Sequence, residues 1–550
     1  MSGLALAVLL VPFVTALTTL AVGHRSDRAV KGIAVGGSGL GLLLGWALAL
    51  PHLGDAAPLG WSYADTTAIG QRIELAVYVD PLAAVMLALA TTVAFLVQVY
   101  SLGYLADDPR YPSYTSLVSL FTGAMVGVVL ADDLWMLLVG WELMGACSYF
   151  LIAHHWELPE ARAGAVKAFL MTRTADLGLL FAILLLGDRF GTYRISTILR
   201  TVSEVALTRD QMWLPAMLLV VAVLGKSAQV PFHTWLPDAM PGPTPISALI
   251  HAATMVAAGV YLVARMYPLF LTAPSALTLL GFVAAVTMLV SALYASVSND
   301  LKRVLAWSTV SQLAYMFGGL AAGAWTAAVL HLLAHGAFKA LLFLGAGSVV
   351  HAIGGATSME AMGGLRDKVR TTFVTMTLGF GALAGVAPLA GFFSKDAIVH
   401  GVLDEARDGR LLWPSVAWLL LVSMVLTAAL TVAYSLRAWL LVFFGTGPAS
   451  AHEPPATMRV PLIVLAVPTA LGGVALFFPS MLGNPGGLFA PRSEAGDLFH
   501  WSTAVLMTLV VVASGAVVLL RWRSRGRDLW RAAPPGRRLP VDRLYDAALV

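Results

Sequence analysis

Runs of about twenty apolar residues recur along the whole chain, each long enough to cross a bilayer as a helix. They dominate the composition, which is 59% hydrophobic and 12% charged, against about 25% charged residues in soluble domains. Strands of a membrane barrel alternate apolar and polar residues, and these runs do not. We therefore predict an all-α polytopic membrane protein with about 15 transmembrane helices, placed in the inner (plasma) membrane of the cell.

Several classes of site are excluded by composition. The single cysteine, Cys147, excludes an internal disulfide and any cysteine-clustered zinc or iron–sulfur centre. The net charge of +4 is small, and no basic block stands beside aromatic residues, so we expect no nucleic-acid partner. The first apolar run, Gly3 to Val22, lacks a positive segment before it and reads as a retained span.

The basic residues give a prediction of topology. They concentrate in alternate loops and in the tail, which places the N-terminus outside and the C-terminus in the cytoplasm. The loop at 188–210, with Arg189, Arg194 and Arg200, is on the wrong side in this arrangement. The residues that support it are Arg25, Arg28, Lys302, Arg303, Arg366, Lys368, Arg370, Arg521, Arg523, Arg525, Arg527 and Arg531.

Two short segments indicate an internal repeat. PFHTWLPDA (231–239) and PLAGFFSKDA (388–397) each place a proline and aromatic residues before Asp-Ala, just after an apolar run. A lysine lies near each proline. Lys226 precedes the first segment, and Lys395 lies within the second. Such paired interruptions are typical of inverted-repeat transporters with an ion path at the breaks. We predict broken helices at the seventh span (211–229) and the twelfth (373–393).

Glu142 and Lys226 are charged residues in the middle of apolar spans. Intramembrane ionisable groups are functional by default, although a structural ion pair that fixes helix packing is the alternative. Opposite charges favour each other's charged form. If Glu142 is the partner of Lys226, its approach or withdrawal would change the proton affinity of the lysine. We therefore predict that Lys226 carries protons under the control of Glu142.

Arg173 and Asp176 are three residues apart and share one helix face. Two interpretations stay open. The residues could form a self-contained stabilising pair, or Asp176 could modulate the lysine site.

His331, His335 and Lys339 recur at intervals of four and line one helical face, while His251 opens another long apolar run. Histidine exchanges protons near neutral pH, so these residues indicate a proton relay with water between its members. Two histidines four apart could instead bind zinc. We predict no metal site there, because no third protein ligand is evident.

Lys302 and Arg303 lie at a span entrance, where snorkelling to the head groups is the ordinary explanation. Lys395 and Asp396 follow the second break as an adjacent Lys-Asp pair. Freed backbone groups at membrane depth are tolerated where they line water or are buried in protein. This pair is therefore a candidate exit of the relay, with a surface loop pair as the alternative.

Five segments together resemble the antiporter-like subunits of respiratory complex I, most closely the distal subunit, L or chain 5. Related chains occur in multisubunit sodium/proton antiporters, membrane hydrogenases and an inorganic-carbon uptake system. The similarity covers roughly residues 70–440. The segments are GWELMGACSYFLI, KSAQVPFHTWLPDAMPGPTPISALIHAATMVAAGVYL, NDLKRVLAWSTVSQLAYM, HLLAHGAFKALLFL and LAGFFSKDAIV.

The resemblance implies two inverted five-helix repeats. We accordingly expect three N-terminal helices in residues 1–112, repeats at 113–266 and 272–445, and C-terminal helices with a basic tail at 446–550. The matching positions make Glu142 the charge partner and Lys226 the first proton-carrying lysine. A central hydrophilic axis would contain His251, Lys302, His331, His335 and Lys339, with Lys395 and Asp396 at the end of the second half. This reading replaces the snorkelling interpretation of Lys302.

The resemblance also implies a proton-translocating membrane-arm subunit without redox chemistry of its own. NADH, FMN, iron–sulfur clusters and quinone would belong to partner subunits, and lipid and protons would contact this chain. Exchange of Na⁺ for protons and service in inorganic-carbon uptake are the alternatives, with a passive scaffold as a fourth possibility. The family's distal subunit continues into a lateral helix and a further span. This sequence ends at PVDRLYDAALV, so it is either truncated or a shorter relative.

Overall fold

The structure is a computed structural model that describes residues 1–23, 26–54, 57–68, 71–204, 210–447, 451–477 and 498–526. Of the residues used for the topology, Arg25, Arg527 and Arg531 lie outside this described part. The first helices are α1 Ser2–Val22, α2 Asp27–Ala49, α3 Pro81–Tyr104, α4 Tyr111–Leu130, α5 Leu134–Ile152, α6 Pro159–Phe190, α7 Ile195–Glu204, α8 Trp213–Lys226, α9 Trp235–Asp238 and α10 Thr244–Ala252.

The chain continues as a second series of helices, and two strands precede α3. The remaining helices are α11 Met255–Arg265, α12 Tyr267–Leu271, α13 Pro274–Val297, α14 Leu301–Ala321, α15 Trp325–Ala352, α16 Arg370–Ala384, α17 Ala390–Asp408, α18 Pro414–Phe443, α19 Ala456–Leu471 and α20 Trp501–Arg525. The strands are β1 Leu59–Ala68 and β2 Gln71–Val79.

Twelve helices of the described residues are long and apolar enough to cross a membrane, counting α10 and α11 as one. The prediction of a multi-pass helical membrane protein is therefore confirmed. Aspartates begin several spans: Asp80, Asp133 and Asp300 accept hydrogen bonds from the first amides of α3, α5 and α14 at 2.8 to 2.9 Å. Such N-caps satisfy amides that have no partner within the helix.

The first predicted break is present between α8 and α9. α8 ends at Lys226, and the chain runs without helix to Trp235. Trp235 Nε1 donates to the main-chain oxygen of Gly225 at 3.0 Å, which satisfies one carbonyl freed at the end of α8. From His233 to Trp235 the interrupted segment is buried in protein, whereas Pro231 is exposed.

The second predicted break separates α16 from α17. Gly385 takes φ +79° directly after α16, a left-handed conformation that favours glycine. Gly391 allows the start of α17 to approach α16, because a Cβ there would lie 1.9 Å from the main-chain oxygen of Ala382. The predicted span ended at residue 393, but α17 continues to Asp408. The hydropathy of the sequence did not indicate this continuation, because α17 is rich in polar residues.

A two-stranded antiparallel hairpin, β1–β2, accompanies the predicted all-α membrane fold. It lies between α2 and α3, outside the spans, where alternating side chains are compatible with water on one face. Arg194 binds it to neighbouring loops, with its Nε 2.9 Å from Asp132 and its terminal nitrogen 3.7 Å from Glu74. Burial by itself lowers the pKa of the Arg194 guanidinium. The hydrogen bond to Asp132 and the negative charge of Asp132 together have the larger effect, so the pKa is raised. Arg194 is thus neutralised locally, which explains one basic residue on the wrong side.

Small residues bring α6 and α8 close together. A Cβ at Gly225 would lie 2.1 Å from the Cβ of Ala175, and one at Gly178 would lie 2.4 Å from the main-chain oxygen of Leu218. Helices in membranes approach at such residues because van der Waals contact replaces the hydrophobic drive. The contact places Asp176, next to Ala175, beside Lys226, next to Gly225. The count of fifteen spans, the inverted repeats and the domain boundaries stay predictions.

Candidate functional site

Lys226 is completely buried, and its ammonium group contacts α5 and α6. Its Nζ lies 3.1 Å from Oδ2 of Asp176 and donates to the main-chain oxygen of Trp141 at 3.1 Å. The predicted contact between Glu142 and Lys226 is therefore wrong in this structure, where Asp176 is the carboxylate partner of Lys226. The packing of the helices explains why Asp176 is the partner: it lies on α6, the helix that the small residues bring nearest to Lys226.

Asp176 is fixed by a second donor. Trp141 Nε1 donates to its Oδ1 at 2.6 Å, while the indole ring lies under the ammonium group of Lys226 at 5.0 Å from the ring centre. One tryptophan therefore contacts both charges of a buried ion pair. Sequence reasoning missed Trp141, although it precedes Glu142 directly in an apolar span.

Glu142 pairs with Arg173, with 2.6 Å between Oε2 and the terminal guanidinium nitrogen. Arg173 and Asp176 therefore do not form the self-contained pair of the first interpretation. Each of them contacts a residue on another helix, and the contact of Asp176 with Lys226 agrees with the second interpretation. Two acids and two bases thus form a neutral quartet on α5, α6 and α8.

Lys302 is buried rather than directed to a head-group surface. Its Nζ donates to the main-chain oxygens of Met240 at 2.6 Å and Gly242 at 2.7 Å. These carbonyls lie in the non-helical connection between α9 and α10, so the lysine supplies donors to freed backbone groups. The snorkelling interpretation fits the neighbouring Arg303, whose side chain is half exposed and lies 3.3 Å from Asp238.

His251 and His335 are buried imidazoles whose ring nitrogens have no hydrogen-bond partner among the described residues. His251 packs against Phe343 with ring centres 4.5 Å apart, and His335 lies 6.3 Å from His331 by the same measure. Buried polar atoms without partners are rare and require an explanation. The predicted water-linked relay would supply partners to these nitrogens.

His331 and Lys339 connect α15 to neighbouring helices. His331 Nδ1 lies 2.8 Å from Ser394 Oγ on α17, and its Nε2 lies 3.3 Å from the side-chain oxygen of Gln312 on α14. Lys339 donates to Ser308 and to the main-chain oxygen of Leu305, both on α14. Sequence reasoning missed Ser308, Gln312 and Ser394; uncharged polar residues in long apolar spans were the available signal.

Lys395 donates to the main-chain oxygen of Leu383, a carbonyl freed at the end of α16. No ion pair within 4.0 Å joins it to Asp396 in the described part of the chain, so the predicted Lys-Asp pair is wrong as a contact. Successive residues on a helix point in directions about 100° apart, which separates the two side chains. Asp396 is itself buried, which excludes the surface-loop alternative.

A cavity of about 350 Å³ opens beside α17. Its lining includes Ala397, adjacent to Asp396, and His400, Asp404 and Glu405 farther along the helix. Residues 322–327, where α14 ends and α15 begins, form the facing wall. The cavity therefore lies between α17 and the beginning of α15, the helix that carries His331 and His335.

The arrangement places exchangeable groups on several helices of one buried core. The carboxylates of the first half are Glu142 and Asp176, and the basic groups continue through His251, Lys302, Lys339, His335 and His331 to Lys395. Direct hydrogen bonds do not join them into a continuous row among the described residues, so proton passage would need intervening water. Their roles in translocation stay predictions.

Comparison with known proteins places the chain in a family. Residues 131–427 match the family described as NADH:quinone oxidoreductase/Mrp antiporter. Residues 67–115 match the family described as the N-terminus of NADH-ubiquinone oxidoreductase (complex I) chain 5. These matches include the quartet, the broken helices and the hairpin's second strand.

Similar relatives cover most of the chain. NADH-quinone oxidoreductase subunit L of Escherichia coli (strain K12) is 38% identical over 539 residues, covering 96% of this chain and 84% of the relative. The subunit L of Mycobacterium tuberculosis (strain ATCC 25618 / H37Rv) is 38% identical over 481 residues, covering 86% and 73%.

Two solved structures are similar in fold. The Mrp complex from Dietzia sp. DQ12-45-1b contains a chain with a TM-score of 0.84 and 30% identity, covering 99% of this chain and 59% of that one. The membrane-bound sulfane sulfur reductase, an archaeal respiratory membrane complex, gives a TM-score of 0.76 at 22% identity, over 97% and 86%. The second likeness shows the fold alone.

The chain is a member of the NADH:quinone oxidoreductase/Mrp antiporter family of multi-pass membrane proteins. The family membership implied by the sequence motifs is thereby confirmed.

Proposed function

We propose that this chain is a proton-translocating membrane-arm subunit of a NADH-quinone oxidoreductase, of the subunit L type. The observation that carries the proposal is a set of seven buried basic side chains of which one, Lys226, is paired with a carboxylate. Uncompensated buried charge is costly, and ionisable side chains inside a membrane are typical of ion and proton pathways. The seven are Lys226, His251, Lys302, His331, His335, Lys339 and Lys395.

The free energy needed to move one proton against the membrane potential is similar in size to that of a change in the pKa of a lysine. Moving one charge against 100 mV costs about 2.3 kcal/mol, and one pKa unit corresponds to about 1.36 kcal/mol. Separation of Lys226 from Asp176 would favour release of the lysine's proton, and renewed contact would favour uptake. A change of a few units at this pair would therefore be sufficient to drive one proton across.

The driving reaction belongs to other subunits in this proposal. NADH, FMN, iron–sulfur clusters and quinone would be bound by partners, and this chain would perform no redox step. It would act only in the assembled translocase of the plasma membrane. Subunit L is the name of the curated relatives, and we transfer their complex to this chain as part of the proposal.

The α5–α6 face is the surface that we assign to a neighbouring membrane subunit. Glu142 and Arg173 are 25% and 43% exposed there, although they lie in the middle of their helices. A charged pair in contact with lipid at that depth is costly. The same two helices carry exposed apolar residues, Val139 on α5 and Phe181 on α6. A photo-reactive amino acid at Val139 should therefore cross-link to another membrane-arm chain, and cross-linking to lipid alone would contradict this assignment.

Lys226→Ala tests the proposed function. In inverted membrane vesicles the variant should keep NADH oxidation by an artificial acceptor, which reports assembly, and lose most proton uptake per NADH oxidised. Lys368→Ala, in the connection between α15 and α16, is the matched control and should keep the wild-type ratio. An unchanged ratio in Lys226→Ala would contradict the proposal.

Sodium/proton exchange is the second candidate, because a chain of the Dietzia Mrp complex resembles this one along 99% of its length. The same vesicles distinguish the two. Proton uptake that depends on NADH and not on Na⁺ supports the oxidoreductase subunit, whereas proton movement that an imposed Na⁺ gradient drives without NADH supports the exchanger.

A further inference from the structure

Three potential metal ligands meet at a loop cluster away from the translocation site. Asp108 lies between α3 and α4, and His154 and His155 lie in the turn that follows α5. One ligand atom from each residue lies within 4.8 Å of the other two. His154 Nε2 and Asp108 Oδ2 are 2.9 Å apart. The cluster therefore joins two connections that are far apart in the sequence.

The surrounding contacts hold these side chains in place. The amide of Arg110 donates to Asp108 Oδ1 at 2.8 Å, so the other oxygen, Oδ2, is directed to His154. The Arg110 guanidinium donates to the main-chain oxygen of His154 at 2.8 Å and bridges the two connections. Tyr114 packs its ring edge-on against His154, with ring centres 5.6 Å apart. The carboxylate and the first imidazole are thus oriented before any ligand binds.

The local charge is compatible with a cation. Two cations lie at this connection: Arg110, which Glu157 neutralises at 3.0 Å, and Lys31, whose Nζ donates to the main-chain oxygen of Ala106 at 3.0 Å. Asp107 and Asp108 together outweigh the charge of Lys31 by one negative charge when both imidazoles are neutral. A divalent cation would therefore meet a weakly negative site rather than a repulsive one.

The donor set is that of a zinc site with three protein ligands. Two imidazoles and one carboxylate bind Zn²⁺ at about 2.0–2.2 Å and leave a fourth position for water. Tetrahedral geometry at those bond lengths separates ligand atoms by about 3.3 Å. Asp108 and His154 are already within that separation, and a ligand atom of the partly exposed His155 lies within 4.8 Å of both.

We propose that Asp108, His154 and His155 form a binding site for a divalent transition-metal ion of the zinc type. Bound metal would fasten the α3–α4 connection to the end of α5, the helix that carries Trp141 and Glu142. The site is separate from the His331–His335 pair, beside which no third ligand is evident in the sequence. It does not depend on the proposed function.

Zinc titration of the purified full chain, with a histidine-free tag, tests the site. Wild type should bind one Zn²⁺ that competes with a chromophoric chelator, and its thermal midpoint should rise with Zn²⁺. His154→Gln and His155→Gln should each weaken binding by more than about tenfold, the least that loss of even an outer-shell partner costs. Co²⁺ should give the visible absorption of a low-symmetry nitrogen and oxygen site in wild type alone.

Two controls separate metal binding from folding. His155→Gln should keep the wild-type midpoint without metal and lose the rise that Zn²⁺ causes. His452→Ala removes one member of the His351–His452 pair, whose rings are 5.9 Å apart, and should bind Zn²⁺ as wild type does. Unaltered zinc affinity in both glutamine variants, or no saturable binding by wild type, would overturn the proposal.

Discussion

Lys226 and Asp176 form a buried ion pair across the contact of α8 and α6, with 3.1 Å between Nζ and Oδ2. Their backbones can approach because Gly225 and Ala175 lie directly against each other. The carboxylate named by the family resemblance, Glu142, is paired instead with Arg173. Asp176 is therefore the carboxylate in contact with Lys226 in this conformation, and no ion pair within 4.0 Å joins Glu142 to Lys226 in the described part of the chain.

Asp176→Asn should destabilise the chain more than Glu142→Gln. Loss of one partner of a buried pair leaves an uncompensated charge and costs about 3–5 kcal/mol, whereas a partly exposed pair contributes about 0–1 kcal/mol. The free energy of unfolding in mixed micelles measures both. Thr174→Ala, on the exposed side of the same helix, is the control and should change little. Equal losses in the two variants would mean that both carboxylates share the lysine.

Gly225→Ala should weaken the contact of α6 and α8, and Ala175→Gly should restore it. The added methyl group would lie 2.1 Å from the Cβ of Ala175, so the helices must separate. Overpacking of this kind costs about 1–3 kcal/mol. Thermal midpoints of the two single variants and the double variant measure the effect. A double variant no more stable than Gly225→Ala would show that another contact sets the helix spacing.

Lys302→Ala and Arg303→Ala should differ sharply although the residues are neighbours. Lys302→Ala leaves two buried carbonyls without a donor, at about 1–3 kcal/mol for each buried unsatisfied group. Arg303→Ala removes a half-exposed pair and should cost no more than about 1 kcal/mol. Unfolding free energies of both variants, measured in the same detergent, provide the comparison. A larger loss for Arg303→Ala would contradict the burial that the structure assigns to Lys302.

Cysteine labelling should place the hairpin and the α15–α16 connection on opposite sides of the membrane. In a Cys147→Ser background, Thr66→Cys should react with an impermeant maleimide from outside, and Asp367→Cys should react only from the cytoplasm. Both side chains are exposed in their loops. Labelling from the reverse sides would invert the topology, and labelling of both from one side would contradict it.

The long spans were predictable from sequence because apolar length alone specifies a membrane helix. The breaks were also predictable, since Pro231 and Pro388 interrupt otherwise continuous runs. The β1–β2 hairpin was not, because its strands, of 10 and 9 residues, lie in a connection between apolar spans and carry no strong turn signal. The length of α17 was missed for a related reason: its second half contains Glu405 and other polar residues that face a cavity.

Within the candidate site, the sequence predicted which residues are buried but did not predict which of them contact each other. A charged residue in an apolar run is visible at once, as with Lys226 and Lys339. Its partner depends on helix spacing, and that spacing is set by glycine and alanine contacts several residues away. The exchange of partners among Glu142, Arg173, Asp176 and Lys226 follows from this, because all four were identified and the pairing was not. Carbonyl acceptors such as Leu383 carry no sequence signature at all.

The two lysines occupy opposite ends of their half-helices: Lys226 is the last residue of α8, and Lys395 lies near the start of α17. The carbonyl end of a helix carries a partial negative charge and the amide end a partial positive one. Lys226 therefore stands at a carbonyl end, and the ammonium group of Lys395 also reaches one, because it donates to the main-chain oxygen of Leu383 near the end of α16. Unwinding the last turns of α8 and α16 together would remove a favourable partial charge from both lysines, so a single movement at the two breaks could act on both in the same direction.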